Sequence, residues 1–366
     1  MKPFIKKKYR INKKEYRNDE SKIQFISLFS GCGGLDLGAS LNGCKVISSL
    51  DNDHDSIKSL ALNKVFSNVK HMFDDIRDMT AKKYSNIIQL NNPEKLFLIG
   101  GPPCQPFSKA AYWQTHAKRK GKDDPKNMID PYLDLIGDIK PDGFILENVE
   151  SILHPKNHFY LQHIKERIDK LGFNFDIFKL NSADFGVPQK RKRVFFIAKL
   201  HSEISPFIPT HGNEKAVALN KNLKKYERVI DWIGEYDDIK FSDGYDSIEG
   251  KYKKDLMNVI PGKNYIYLTS KYNYPNPKFI AGTRYWTFLL KLDPELPSNT
   301  IISSPGHWEG PFHWNNRRLR VRELAAIQSF PCDYKFYGSR RSVIKQIGNA
   351  VPPILAKAVI GSLIES

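Results

Sequence analysis

The sequence predicts an α/β protein in which a doubly wound, largely parallel sheet is joined to a smaller, loop-rich second domain. Short apolar runs alternate with helical stretches from about residue 23 to about residue 200. One run, at 96–99, is closed by two glycines and two prolines, as expected of a buried parallel strand that stops at its carboxyl edge. Between about residues 201 and 315 the chain becomes rich in Pro, Asn, Gly and Tyr, and its apolar runs become short and irregular.

The predicted organisation divides the chain into four parts. A basic arm at 1–22 precedes the sheet domain at 23–200, the loop-rich domain occupies 201–315, and a C-terminal segment at 316–366 returns to complete the sheet domain. Because the chain has 366 residues, 40% of them apolar, the larger domain has enough material for a buried core.

The charge balance indicates a polyanionic partner. The 57 Lys and Arg residues exceed the 40 Asp and Glu residues, which gives a net charge of +17. Such an excess attracts phosphate backbones and gains affinity from released counterions. Solubility alone is the alternative explanation, but the basic residues are clustered, for example at 190–193 and 317–322.

Composition also restricts the compartment and the kinds of site. The basic N-terminus is not followed by an apolar segment, and no apolar run approaches the roughly 18 residues of a membrane span. We therefore expect a soluble, cytoplasmic and nucleoid-associated protein. Four cysteines lie far apart without a CxxC pair, which predicts neither a disulfide framework nor a metal site; they are Cys32, Cys44, Cys104 and Cys332.

A glycine loop follows the first predicted strand. The loop at 30–34 opens a helix, and glycines at such a turn let the backbone approach a ligand whose charge faces the helix N-terminus. The next strand ends in Asp51, about 20 residues later, where an acid can accept hydrogen bonds from ribose hydroxyls. Loop and acid together favour a cofactor that contains adenosine.

The most informative segment is the turn at 101–105, with the sequence GPPCQ. Each proline fixes its own φ and disfavours helix at the preceding residue, so Cys104 is held at the carboxyl edge of the sheet. Open α/β sheets place their chemistry at this edge, and a thiol there suits a nucleophile. The alternative is a small buried cysteine that merely caps a strand.

Six segments of the chain form an ordered series of recognisable motifs. They are FSGCGG at 29–34, GPPCQPFS at 101–108, ENV at 147–149, QKRKR at 189–193, RLRVRE with QSFP within 318–331, and QIGNAVP at 346–352. The series resembles the DNA cytosine-5 methyltransferases of bacterial restriction-modification systems. The resemblance covers most of the chain outside 1–22 and 201–298. It implies a Rossmann-like S-adenosylmethionine-dependent methyltransferase domain with a smaller, loop-rich target recognition domain.

The resemblance implies methylation of C5 of a cytosine that has been rotated out of duplex DNA. Cytosine C5 is a poor nucleophile until another nucleophile adds to C6, and by the resemblance this would be Cys104. Glu147 would bind the ring at N3 and Arg193 would hold O2. Arg191 would stabilise the loop or the attacked base.

The resemblance also implies S-adenosylmethionine as cofactor, S-adenosylhomocysteine as product, and no metal. The implied cofactor-binding residues are Phe29, Gly31, Gly33, Asp51, Asn52, Asp75, Ile76, Asn349 and Val351. Asp51 would accept the ribose hydroxyls. Asp75 would accept the adenine amino group, with Asp74 and Asp78 as competing candidates for that role.

The implied DNA contacts come from the cysteine loop, from the basic segment at 189–193, and from the recognition domain and the start of the C-terminal segment. They are Gln105, Ser108, Lys109, Gln189, Arg284, Thr300 and Arg317. Aromatic pairs at 285–286, 307–308 and 313–314 are further candidates, although half or more of these side chains are expected to form that domain's core.

The expected partner is double-stranded DNA, methylated by a monomer whose cognate restriction endonuclease would act on the same site without a stable complex. A second hypothesis moves the same chemistry to transfer RNA, since one branch of the family methylates that substrate. A third is a DNA-binding protein that has kept the fold and lost catalysis. The long variable region and the match at Thr300 favour DNA over RNA, and the intact Cys104 and Glu147 favour an enzyme.

Overall fold

The computed structural model describes residues 21–103, 127–282 and 285–365. Its strands are β1 (Ile23–Leu28), β2 (Lys45–Asp51), β3 (Lys70–Phe73), β4 (Lys95–Gly100), β5 (Gly143–Val149), β6 (Asn174–Asn181), β7 (Lys192–Lys199), β8 (His211–Gly212) and β9 (Lys224–Lys225). Its helices are α1 (Gly34–Leu41), α2 (His54–Ala61), α3 (Ala81–Asn91), α4 (Ile129–Ile139), α5 (His158–Lys170), α6 (Glu214–Leu219), α7 (Val229–Ile233), α8 (Lys253–Asn258), α9 (Val321–Ile327), α10 (Arg340–Asn349) and α11 (Pro353–Ile364).

A seven-stranded sheet with the order β3-β2-β1-β4-β5-β7-β6 organises the larger part of the molecule. Strands β1 to β5 pair in parallel, and β7 runs antiparallel to both β5 and β6. The strand order reverses direction between β1 and β4, and ligands of open α/β sheets bind outside the carboxyl ends at such a point. The predicted doubly wound α/β class is confirmed.

The sheet is covered on both faces, because alternate residues of its central strands face opposite ways. Along β4, Leu96 and Leu98 pack into one apolar cluster, which α4 and α5 complete. Phe97 and Ile99 pack into a second cluster, which α1 and α11 complete. This two-sided burial explains why the run at 96–99 is apolar throughout rather than alternating.

The C-terminal helices return to the sheet domain. Residues Arg340–Ile364 are long and apolar enough to cross a membrane by length and composition, but most of this stretch is buried inside the protein. Helix α11 packs on α1 and contributes Leu355, Val359 and Ile360 to the second cluster. The apolar side chains of α11 are therefore part of the buried core.

The loop-rich region has a small core of its own. It consists of Ile248, Leu256, Val259, Tyr265, Leu268, Leu289 and Phe312, which are all buried. Half-buried aromatic rings surround it, among them Tyr252 and Phe288, which meet edge to face with centroids 5.1 Å apart. Val229 and Ile233 instead share a cluster with α9 and α10. The domain boundaries drawn from the sequence remain a prediction.

Candidate active site

The glycine loop after β1 lies at the switch point of the sheet. Gly31 and Gly33 have φ of 53° and 82°, a region that side chains other than glycine rarely adopt. A Cβ on Gly34 would lie 2.2 Å from the carbonyl oxygen of Val351. Only glycine therefore permits α1 to begin against the C-terminal segment.

Asp51 ties the end of β2 to this loop. Its carboxylate accepts hydrogen bonds from the backbone N–H of Gly31 and of Asp53, both at 2.8 Å. Burial raises the pKa of Asp51, and these two bonds partly offset that rise because they favour the ionised form. The acid and the glycine loop are therefore fixed to one another before any ligand binds.

A cavity of about 380 Å³ opens beside Asp51. Five of the residues predicted to bind cofactor line it: Phe29, Asp51, Asn52, Asp75 and Ile76. Asp74 also lines the cavity, whereas Asp78 is not part of its wall. Sequence reasoning missed Arg77 and Met128, which also line it, because neither belongs to a recognisable motif.

The two neighbouring acids of the cavity wall, Asp74 and Asp75, have different partners. Asp75 forms a bidentate ion pair with Arg77, with contacts of 2.9 and 2.7 Å, and the pair lowers the pKa of Asp75. Asp74 pairs with Lys83 at 3.3 Å. The arginine keeps Asp75 ionised, so its oxygens remain acceptors.

The other four predicted cofactor residues are not part of the cavity wall. Gly31 and Gly33 form the loop that leads to α1, and Asn349 is exposed at the end of α10. Val351 is 5% exposed and packs behind the loop against Gly34. Val351 therefore supports the loop from behind, through its backbone.

An acid and an arginine meet at the carboxyl end of β5. Val149 lies directly opposite Arg193 in the antiparallel pair of β5 and β7, so Glu147, two residues earlier on the same face, is the diagonal neighbour of Arg193. Arg193 Nε lies 2.9 Å from Glu147 Oε1, and the two side chains are only 15% and 11% exposed. We call this pair the acid–arginine corner.

Two opposing influences act on the acid of this corner. Burial raises the pKa of Glu147, while Arg193 and Arg191 lower it, and the net shift is upward. A buried carboxyl with a raised pKa is suited to share or donate a proton.

The segment that leads to the cysteine lies against this corner. A Cβ on Gly101 would be 2.8 Å from Glu147 Oε2, so the carboxylate occupies the space that any other side chain would need. Asn148 Nδ2 donates a hydrogen bond to the carbonyl of Pro102 at 3.3 Å. Four predicted site residues of the next stretch, Cys104, Gln105, Ser108 and Lys109, lie outside the described residues, as does Arg284.

The remaining predicted site residues bond to protein groups. Arg191 and Gln189 are fully buried. Arg317 is 9% exposed and forms ion pairs with Asp237 and Glu323 at 2.7 and 2.6 Å. Thr300 is half-buried and donates its hydroxyl hydrogen bond to the carbonyl of Lys190. In this structure the polar groups of these side chains bond within the protein, and their predicted contacts with the base or with DNA remain predictions.

One functional candidate, Gln328, was given no role by the sequence. It is fully buried and bonds to Gln189, and only its position inside the RLRVRE–QSFP motif could have pointed to it. Across the three described stretches, no group of three or more His, Cys, Asp or Glu side chains could hold a metal ion.

Comparison with known proteins identifies the family. The family model for C-5 cytosine-specific DNA methylases matches residues 23–365. The chain is 32% identical to the type II methyltransferase M.SacI of Streptomyces achromogenes, over 94% of this chain and 93% of that protein. It is 30% identical to the type II methyltransferase M.NgoMIV of Neisseria gonorrhoeae, over 94% and 98% of the two chains.

The fold is shared with solved structures as well. A mutant of DNMT2 from Spodoptera frugiperda superposes with a TM-score of 0.61 at 16% identity, covering 93% of this chain and 99% of that one. With a family model that spans nearly the whole length, the protein belongs to the C-5 cytosine-specific DNA methylase family and is a DNA cytosine-5 methyltransferase.

Proposed function

We propose that this enzyme methylates a cytosine rotated out of duplex DNA through a transient covalent bond between Cys104 and C6 of the base. The observation that carries the proposal is the 2.8 Å approach of Glu147 Oε2 to the Cβ position of Gly101. The segment that leads to Cys104 therefore begins against the buried acid. A nucleophile and an acid that act on one base need this proximity.

The chemistry assigned to each group follows from its surroundings. The thiolate of Cys104 adds to C6, and electron density then accumulates at C5, which accepts the methyl group. The C5 proton then passes to solvent, its bonding pair re-forms the C5–C6 double bond, and the C6–S bond breaks to release the thiolate. Glu147, whose pKa is raised by burial, holds N3 by a shared proton, and Arg193 binds O2.

The cavity beside Asp51 fits an adenosine-containing cofactor. Its volume is about 380 Å³, and it is lined by Phe29 and by the carboxylates of Asp51 and Asp75. S-Adenosylmethionine supplies the methyl group when bound. Asp51 would hold the ribose hydroxyls and Asp75 the adenine amino group, and its ion pair with Arg77 keeps Asp75 an acceptor.

We further propose that the enzyme is the modification half of a type II restriction-modification system. The names of M.SacI and M.NgoMIV support this, since both are type II methyltransferases. The same proposal includes a cytoplasmic monomer, and a cognate endonuclease that recognises the same DNA site without forming a stable complex.

Trapping of the covalent intermediate tests the mechanism. A random-sequence duplex library that contains 5-fluorocytosine should form a denaturation-resistant conjugate, and mass spectrometry should locate it on Cys104. Cys104→Ser should abolish methyl transfer while DNA binding persists. Cys332→Ser is the matched control, because Cys332 is a half-buried free thiol elsewhere in the chain, and full transfer is expected from it. A crosslink at another residue would overturn the mechanism.

Substrate choice is tested separately. Labelled methyl groups from S-adenosylmethionine should appear in mixed-sequence duplex DNA and not in transfer RNA. Labelling of RNA alone would move the activity to that substrate. Binding of DNA without any transfer would favour a protein that has lost catalysis.

The cofactor assignment is tested by Asp51→Ala. The variant would lack the hydrogen bonds that the carboxylate makes to the ligand and to Gly31 N. Each is a charge-assisted hydrogen bond of about 1.5–3 kcal/mol. The dissociation constant for S-adenosylhomocysteine, measured by calorimetry, should rise by about 10- to 100-fold. An unchanged constant would remove Asp51 from the site.

A further inference from the structure

Three segments from distant parts of the chain converge behind the acid–arginine corner. We call them the lead-in segment (188–191), the recognition segment (298–303) and the closing segment (346–351). The lead-in and recognition segments are joined through their backbones: Ser298 N donates to the carbonyl of Pro188 at 2.9 Å, and Lys190 N donates to the carbonyl of Ser298 at 2.7 Å. The recognition segment also touches the closing segment, because a Cβ on Gly348 would lie 2.5 Å from Ser303 Cα.

Arg191 lies at the centre of this convergence. Its guanidinium donates to the carbonyl of Ile301 at 3.3 Å, and to the carbonyls of Gly348 and Asn349 at 2.8 and 3.3 Å. Within the part of the chain that the structure describes, no carboxylate forms an ion pair with Arg191. A buried cation requires compensation, and here backbone carbonyls of two separate segments provide it together with the nearby negative charge of Glu147.

A pair of buried glutamines makes a second connection between the same segments. Gln189 Oε1 accepts from Ile301 N at 3.1 Å, and Gln189 Nε2 donates to Gln328 Oε1 at 2.5 Å. Gln328 Nε2 donates to the carbonyl of Ala350 at 2.5 Å. The chain of hydrogen bonds therefore runs from the recognition segment to the closing segment through two fully buried side chains.

The closing segment in turn supports the cofactor loop. The carbonyl of Val351 lies where a Cβ of Gly34 would be, and Gly34 begins α1 directly after the loop. Gly31 in the same loop donates to Asp51 in the cavity wall. A displacement of the closing segment would therefore also displace the loop that faces the cavity.

We propose that Gln189, Arg191 and Gln328 are positioning residues that couple the recognition segment to the cofactor cavity. This inference rests on the proposed function, since it assigns the cavity to the cofactor. Apolar side chains of similar size would bury the same volume, often at no loss of stability. Directional bonds to Ile301, Gly348 and Ala350 fix the register of three segments, which apolar packing does not specify as narrowly.

Hydrogen exchange on the full-length protein tests the coupling without any variant. S-Adenosylhomocysteine should slow amide exchange in the cofactor loop and also, by about fivefold or more, in the recognition segment, which forms no part of the cavity wall. Protection confined to the loop and the closing segment would overturn the inference. Failure of the compound to bind at all would overturn the proposed function and this inference with it.

A matched pair of variants separates positioning from general stability. Gln328→Met should weaken binding of S-adenosylhomocysteine by about 10-fold, as for loss of one net hydrogen bond, and should abolish protection of the recognition segment. Gln24→Met is the control: Gln24 is 2% exposed and bonds to the carbonyls of Ser21 and Asn91 at the start of β1. It should lower thermal stability without changing affinity or the exchange pattern.

Arg191→Lys provides the conservative test. A lysine keeps the charge but cannot span the carbonyls of Ile301 and Gly348 with one planar group, so partial protection of the recognition segment is expected.

Equal losses of affinity in Gln328→Met and Gln24→Met would contradict the proposal and leave the cluster a purely structural element.

Discussion

Two ion pairs, one at the carboxyl edge of the sheet and one on the surface of the loop-rich region, differ in how far solvent reaches them. At the sheet edge, Glu147 and Arg193 project from two paired strands and are 11% and 15% exposed. In the loop-rich region, Arg228 pairs with Glu295 at 2.7 Å, but these side chains are 47% and 59% exposed. Strand register fixes the first pair, whereas solvent screens the second. Substitutions should therefore be costly at the corner and tolerated at exposed pairs such as Arg228 and Glu295.

The largest contrast should come from replacing one acid in each region. Glu147→Gln keeps the size of the side chain but removes its titration and its charge beside Arg193, and we expect kcat to fall by about 10²- to 10⁴-fold. Glu295→Gln, the control, should leave kcat within a factor of two or three, because an exposed pair contributes little. Single-turnover methylation of mixed-sequence duplex DNA measures both. Comparable losses in the two variants would refute the difference between the regions.

The next largest difference should come from substitutions in the two cores, which should affect cofactor binding and DNA binding differently. Phe144 is fully buried in the sheet and Phe312 is 1% exposed in the small aromatic core, so each Phe→Ala change should cost about 3–5 kcal/mol locally. Phe144→Ala should weaken both cofactor and DNA binding. Phe312→Ala should weaken DNA binding and leave the affinity for S-adenosylhomocysteine within about twofold, since its core is separate from the sheet. Parallel loss of both ligands in Phe312→Ala would show that the cores unfold together.

The sequence predicted the sheet edge well because its signals are local. The apolar run at 96–99 and the glycines after it identify a central strand, and β4 extends from Lys95 to Gly100. Asp51 ends β2, as the sequence predicted, and it lies in the wall of the cavity. These features depend on strand ends and turns, which short stretches of sequence encode directly.

Burial could not be predicted for the basic cluster. The letters at 189–193 are polar or charged throughout, and nothing in them distinguishes Arg191, which is fully buried, from Lys190 and Lys192, which are exposed. The distinction depends on Ile301 and Gly348, whose carbonyls accept from Arg191 across more than 100 residues of chain. Such long-range pairing is a tertiary property.

The loop-rich region shows the same limit among its aromatic residues. Trp308 packs edge to face on Tyr252 with centroids 5.6 Å apart, while Tyr285 and Trp286 are 73% and 49% exposed. Composition alone predicted a mixture of packed and exposed rings. It could not assign them, because short 3-10 turns give no regular periodicity from which to read a buried face.

The smallest expected difference between the two regions is in how stability depends on pH at two aspartates, whose pKa values are shifted in opposite directions. Asp36 in α1 is fully buried and accepts from Ser27 and Ser49 at 2.8 and 2.7 Å; burial raises its pKa from 3.8 to about 6. Asp246 in the loop-rich region pairs with Arg320 at 2.7 Å, and this partner lowers its pKa from 3.8 to about 2. Burial dominates at one acid and pairing at the other.

The two shifts have opposite consequences for stability. Folded Asp36 retains a proton that the unfolded chain releases between pH 4 and 6, so its contribution is full below about pH 4 and is lost as the pH rises through 6, a change of about 3 kcal/mol. Asp246 contributes stability above about pH 4 and loses it as the pH falls towards 2. Urea unfolding should therefore show that the free energy of unfolding of Asp36→Asn increases relative to that of the parent protein as the pH rises from 4 to 7. For Asp246→Asn the same relative increase should appear as the pH falls from 5 to 3. A constant difference between Asp36→Asn and the parent protein across this range would mean that Asp36 is ionised in the fold, with Ser27 and Ser49 offsetting the whole cost of its burial.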